Sequence, residues 1–336
     1  MSKFPIKAAT QAALAVALGL MISRAGAQDL PQVEQAQEVQ RIHDLQPGAA
    51  SQSEPSLYPG EEEDTGSQFL LETAPSPRWQ WFNLGADAQY FHTSNAYLST
   101  TGKKGAGLLV STIDGEIDAP AVAVPFGQLY GRAGFRYQWF NYGLGGPGGS
   151  VKKLDFNAAT TYLEGEWQLP DNWQVIGNLS YARLLSDGHG YDEFYKELVP
   201  SFRVKKEIPL RPNVDLSVEY SANYRFTDVV PAPGQTRGCN NRTDQSVEFA
   251  LVWQCARQVD IRPFYNFQYS YYPDYLSGQS RNDYLHTVGV YADYCFNSWS
   301  SIRVFLDYEA RSSDSAAVPD YRKLDAGGGI SATFKF

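Results

Sequence analysis

From Trp79 onward the side chains of this sequence alternate. In the stretch VDLSVEYSANYRF, Val214, Leu216, Val218, Tyr220, Ala222, Tyr224 and Phe226 occupy every second position, with Asp215, Ser217, Glu219, Ser221, Asn223 and Arg225 between them. A period of two puts successive side chains on opposite faces of an extended strand, so the segment has one apolar and one polar face. The same rhythm sets Ile302, Val304, Leu306, Tyr308 and Ala310 against Arg303, Asp307, Glu309 and Arg311. It also sets Val259, Ile261, Tyr265, Phe267, Tyr269 and Tyr271 against Asp260, Arg262, Asn266, Gln268 and Ser270. A fold made of such strands must shelter one face and wet the other.

Turn residues order these strands. Tight links are expected at 170–172, 211–213, 256–258 and 296–298, and longer Gly-, Ser- and Asp-rich loops near 143–150, 185–194, 227–243, 272–282 and 313–322. Short turns at one end and long loops at the other fit an up-and-down antiparallel β-barrel of about 12 strands, the count including a weak strand near 105–117. Expected strand lengths of about 10 to 16 residues exceed those of soluble sheets and suit a tilted membrane crossing. Aromatic side chains make up 14% of the chain against 19% charged, and they crowd strand ends in WQWFN, YQWFNYG, YSYYPDY and FNSW. Rings so placed sit at the headgroup level of a bilayer. A soluble β-sandwich or propeller is the competing architecture and explains neither the strand length nor the aromatic placement.

Residues 1–27 read as a secretory signal peptide: Lys3 and Lys7, an apolar run from Ala8 to Ile22, and Ala25-Gly26-Ala27 before Gln28. No later run approaches the roughly 18 apolar residues of a spanning helix, and mean hydropathy is −0.38. Residues 28–78 form an acidic, mostly disordered periplasmic arm. Within it, Leu30, Val33, Ala36, Val39, Ile42 and Leu45 recur every third residue. That spacing suits a short helix, read either as marginal and partly formed or as a plug or docking helix at the barrel mouth. The run GEEEDTG at 60–66 reads as a solvated acidic stretch. The net charge of −9 excludes a nucleic-acid partner.

The C-terminal LDAGGGISATFKF places Leu324, Ala326, Gly328, Ile330, Ala332, Phe334 and the last residue, Phe336, on one face. With the signal peptide and the alternation, this resembles Gram-negative outer-membrane β-barrel proteins of porin-like type over residues 79–336. The resemblance implies a cell outer-membrane location, contact with outer-membrane lipids and lipopolysaccharide, and a barrel-assembly machinery that reads Ile330, Ala332, Phe334 and Phe336. It also implies that the last strand closes against the first. Parity then assigns an inward set of Asp87, Arg132, Arg136, Arg203, Lys205, Glu219, Arg225, Glu248, Asp260, Arg262, Asp293, Arg303, Asp307, Glu309 and Arg311, with the signs interleaved. A ring of twelve strands leaves a narrow passage or none. Two functions follow from that lumen: a narrow channel for small polar solutes, or a closed structural or adhesive barrel whose loops bind partners.

The stretch YFHTSNAYL resembles the His-x-Ser-Asn motif of outer-membrane phospholipase A and lipid A deacylases, which implies a His92 base and a Ser94 nucleophile in a lipid acyl hydrolase. The region KKGAGLL lacks the Asn or Glu those families carry about a dozen residues after the serine, and Asn95 reads equally as a turn residue. Cys239, Cys255 and Cys295 suggest no disulfide; Asp187, His189, Asp192 and Glu193 read as a solvated loop; no metal or cofactor is expected.

Overall fold

The computed structural model describes residues 31–44, 81–143, 151–187, 192–229, 236–276 and 278–336. The signal segment 1–27, the arm residues 28–30 and 45–78, and His189 of the 185–194 loop lie outside them.

Among the described residues, one α-helix, α1 (Pro31–Asp44), precedes thirteen strands: β1 (Phe82–Thr93), β2 (Ala106–Asp118), β3 (Val122–Val124), β4 (Gly127–Tyr142), β5 (Phe156–Leu169), β6 (Trp173–Ser186), β7 (Glu193–Arg211), β8 (Val214–Val229), β9 (Arg242–Ala256), β10 (Val259–Leu276), β11 (Gln279–Cys295), β12 (Ser300–Ser313) and β13 (Tyr321–Lys335). The short β3 only flanks the start of β4; the other strands pair antiparallel with their sequence neighbours and form a closed 12-strand barrel. The ring is sealed between β1 and β13, in register from Asn83↔Lys335 to Thr93↔Asp325. Phe336 takes part in the seal: its N–H donates to the carbonyl of Phe82 at 2.8 Å, and its own carbonyl accepts from Phe82 N–H at 3.4 Å. A closed ring has no edge strand to protect, so the terminal residue is held like any other.

Alternation dictates the two faces. Leu84, Phe135, Leu163, Phe202, Val288, Val304, Ile330 and Phe334 are exposed on the outside, whereas Asp293, Arg303, Asp307, Glu309 and Arg311 are buried within. No helix of the described residues is long and apolar enough to cross a membrane, which says nothing of strands.

One expectation changes and two hold in sharper form. Nine of the twelve ring strands have the expected 10 to 16 residues, while β7, β10 and β11 reach 19, 18 and 17. The region 272–282 is no long loop, because β10 and β11 continue through it as a projecting hairpin that turns at Gly278, whose φ of +85° favours glycine. The weak 105–117 segment is a full strand, β2, paired along its length with both β1 and β4. Its alternation is poor because its inner face is apolar at Ala106, Leu108 and Val110, all buried.

The three consecutive glycines of β13 have a steric cause. Gly327 stands directly between Phe91 of β1 and Phe305 of β12, whose rings meet edge to face at 5.5 Å. A Cβ on Gly327 would lie 2.1 Å from that of Phe91. The closing strand is therefore bare where its two neighbours carry inward rings.

The inner face also holds rings away from the seal. Phe140 of β4 stacks on Phe156 of β5 at 4.2 Å, and Phe264 of β10 on Tyr291 of β11 at 4.9 Å. Val33 and Val39 of α1 are buried in this cluster. The lumen therefore has an apolar lining on part of its wall, which the mixed-charge expectation did not include.

Candidate functional site

The helix α1 lies inside the ring, deeper than a plug at the mouth. Its sequence allows both kinds of contact, since Val33 and Val39 lie on the cluster of rings while Glu34, Gln37, Glu38 and Arg41 reach polar groups of the wall. Pro31 stands beside Tyr97, Leu98 and Pro319, residues of the β1–β2 and β12–β13 connections, so the helix begins at the long-loop end. From there it descends past the wall in order. Glu34 is 3.5 Å from Arg311, Gln37 accepts from Arg242 at 2.7 Å, Lys323 Nζ pairs with Glu38, and Arg41 lies 3.7 Å from Glu309.

The wall residues that receive α1 are themselves organised. Arg225 bridges Glu197 at 2.8 Å and Asp244 at 2.7 Å; Asp244 also accepts from Arg242 at 2.9 Å and from Ser270 at 2.6 Å. On the opposite wall Lys323 lies 3.6 Å from Glu309 and 3.3 Å from Asp325, and Tyr321 donates to Glu309 at 2.7 Å. Buried charges are tolerated only when paired and hydrogen-bonded. Here the pairs join three consecutive strands, β7 to β9, on one wall and two, β12 and β13, on the other, and then the helix.

A second polar zone lies toward the short turns. Glu164 of β5 is 2.9 Å from Arg203 and 3.6 Å from Arg132, accepts from Asn178 at 3.2 Å, and sits beside Tyr162, which donates to Glu116 at 2.6 Å. Of the other residues assigned by parity, Arg303 pairs with Asp293 at 2.6 Å. Asp87 accepts from Gln89 at 3.4 Å, and Arg136 is buried in β4. Glu219 stands opposite Glu248 across β8 and β9, while Arg262 interacts electrostatically with Glu248, Asp260 and Asp293. Lys205 lies 2.7 Å from Glu207. The long-loop rim is tied separately: Asp314 accepts from the backbone N–H of Asn282 at 2.8 Å, and that bond above all holds its carboxyl below the usual range.

Sequence reasoning passed over Glu197, Arg242, Asp244, Lys323 and Asp325. For Lys323 and Asp325 the signal was present, because parity with outward Leu324 places both inside. Arg242 lies inside the loop expected at 227–243, and Glu197 and Asp244 lie just past the expected loops that end at 194 and 243.

The residues of the His-x-Ser-Asn stretch are positioned as follows. His92 is exposed on the outer face with its ring close to Gly105. Ser94 Oγ accepts from the backbone N–H of Leu324 at 2.8 Å. Asn95 is buried, donating to the carbonyl of Ser99 at 2.8 Å and accepting from Ser99 N–H at 3.1 Å, so its amide builds the turn. Cys239, Cys255 and Cys295 are free thiols.

No family model matches this chain, and no curated protein sequence matches it. Among solved structures, the chain is similar to an outer membrane channel from Pseudomonas putida F1, at 8% identity over 76% of this chain and 96% of that one, with a TM-score of 0.52. It is also similar to the translocator domain of the autotransporter NalP from Neisseria meningitidis, at 13% identity over 77% and 90% of the two chains, with a TM-score of 0.42. The first likeness establishes the fold as that of an outer-membrane β-barrel.

Proposed function

We propose that this protein is a porin-like outer-membrane channel of narrow bore for small polar solutes, and that α1 is its internal plug. The observation that carries the reading is the kind of contact α1 makes. It is held by Glu34–Arg311, Glu38–Lys323 and Arg41–Glu309 and by the amide of Gln37, beside the apolar contacts of Val33, Ala36 and Val39. Polar contacts can be exchanged for water at modest net cost, whereas a greasy core cannot. A plug built this way can leave a lumen that water can enter. The outer belt of Leu84, Phe135, Val288 and Ile330 suits lipid, with lipopolysaccharide meeting the long loops. In this reading the assembly machinery would grip the outward Ile330, Ala332, Phe334 and Phe336 of the closing strand.

Planar-bilayer recordings test the channel. The mature chain is expected to give small, infrequent current steps, and a chain lacking residues 28–44 steps several-fold larger. Absence of steps from both, with folded protein in the bilayer, would remove the channel reading and leave a structural or adhesive barrel. The hydrolase alternative draws no support from the geometry, since Ser94 Oγ is engaged by the backbone of β13 rather than by His92. Ser94→Ala is expected to leave any fatty-acid release from phospholipid vesicles unchanged; a loss of activity in that variant would reinstate it.

A further inference from the structure

Glu38 of α1, Asp307 of β12 and Asp325 of β13 converge inside the ring, with one carboxylate oxygen of each within 4.8 Å of the others. Asp307 and Asp325 stand opposite each other across the β12–β13 ladder, so the wall supplies a fixed pair and the helix brings the third. All three are at least 96% buried, with exposures of 4%, 2% and 0%. Part of the charge is met nearby: Lys323 pairs with Glu38 and Asp325, and Arg41 faces Glu309. With Glu309 included, four carboxylates stand against two cations, a residual charge of −2.

The second observation concerns oxygen atoms left over. Neither oxygen of Asp307 has a hydrogen-bond partner among the described residues, nor has Oε1 of Glu38. The same holds for the hydroxyls of Tyr142 and Tyr291, both 1% exposed. These two phenols are not part of the acidic trio but interact electrostatically with it, Tyr142 with Glu38 and Asp325, Tyr291 with Glu38 and Asp307. Buried polar atoms are almost always satisfied. Hard divalent cations such as Ca²⁺ take about six to eight oxygens at roughly 2.3–2.6 Å, so ligands on opposite sides of the ion stand roughly 5 Å apart. The three carboxylate oxygens, all within 4.8 Å of one another, are close enough to share one such ion.

We infer that Glu38, Asp307 and Asp325 form a binding site for a hard divalent cation of Ca²⁺ size, with Tyr142 and Tyr291 as neutral oxygen partners, and that the ion fastens α1 to the wall. The site requires that α1 be docked, and it stands whether or not the barrel conducts. The ion closes the charge deficit, and its removal would loosen the helix at its middle.

Tyrosine-sensitised Tb³⁺ luminescence tests the site on the full mature chain, folded in detergent and stripped with a chelator. Saturable emission is expected at one ion per chain, competed by Ca²⁺. Asp307→Asn and Glu38→Gln should each weaken it by roughly tenfold or more. Heat-modifiable gel migration confirms that each variant is folded, and Glu38→Gln guards against a wall defect because α1 is not part of the ring. Absence of sensitised emission from folded wild-type protein would overturn the inference, as would emission that survives both substitutions. Emission lost on neutralising Glu61, Glu62, Glu63 and Asp64 but retained in Asp307→Asn would place the ion on the arm and equally overturn it. Because this readout needs no current, its failure is distinct from failure of the channel reading.

Discussion

Replacing Lys323 with Met is expected to free α1 from the wall while the ring stays closed. Lys323 is 2% exposed and its ammonium serves Glu38, Glu309 and Asp325 together. Removing one partner of a buried ion pair costs about 3–5 kcal/mol, because the remaining charge is left uncompensated in a poorly solvated place. Glu309 and Asp325 are fixed by the ladder, but Glu38 is not. The penalty is relieved most cheaply by the helix moving away, since α1 makes no ladder hydrogen bond. The expected signs are protease cleavage within 31–44, a lower heat-denaturation midpoint, and larger current steps. Lys323→Arg, which keeps the charge, should show much less of each. A Met variant whose α1 stays protected and whose current is unchanged would show that Lys323 does not hold the plug.

Gly327→Val is expected to damage the seal itself. The added Cβ would lie 2.1 Å from Phe91 Cβ and 2.4 Å from the carbonyl of Tyr90, well inside any tolerated contact. Overpacking a filled site typically costs about 1–3 kcal/mol and more where backbone must shift, and here the obstacle includes backbone. The strand involved is the one that closes the ring, so β1 and β13 must separate locally or fail to pair. The yield of heat-modifiable barrel should fall severalfold, with the remaining folded protein unfolding at lower temperature. The partner test is Phe91→Gly in the Gly327→Val background, which removes the Cβ that the new side chain meets first and should recover part of the yield, the Tyr90 carbonyl remaining in the way. Unaltered folding of Gly327→Val alone would contradict the packing account.

The ring was legible because its cause is local. Each strand such as Ile302–Ala310 states its two faces residue by residue, and each turn states which neighbour comes next. The lumen was legible only in part. Parity places Arg303, Asp307 and Glu309 inside, but it cannot say that the interior is shared between ion pairs and stacked rings such as Phe140 and Phe156. β2 is the clear instance. Its inward Ala106, Leu108 and Val110 face the inner cluster of rings, so a strand with apolar residues on both faces loses the contrast that periodicity detects. The helix shows the complementary limit. Its three-residue rhythm is visible, yet its polar side chains carry no mark of their partners, which lie 160 to 285 positions away, from Glu197 to Lys323.

The path of the chain through its own ring constrains how the protein is made. α1 starts at one mouth, beside Tyr97 and Pro319, while β1 resumes at the other with Phe82 bonded to Phe336. Every pairing around the ring joins sequence neighbours except the one between β1 and β13, whose loop spans most of the polypeptide and so closes late. Enclosure of the helix and completion of the cylinder are thereby tied to one final step. A chain begun after residue 44 should still zip its hairpins in order, but it would finish around an empty bore.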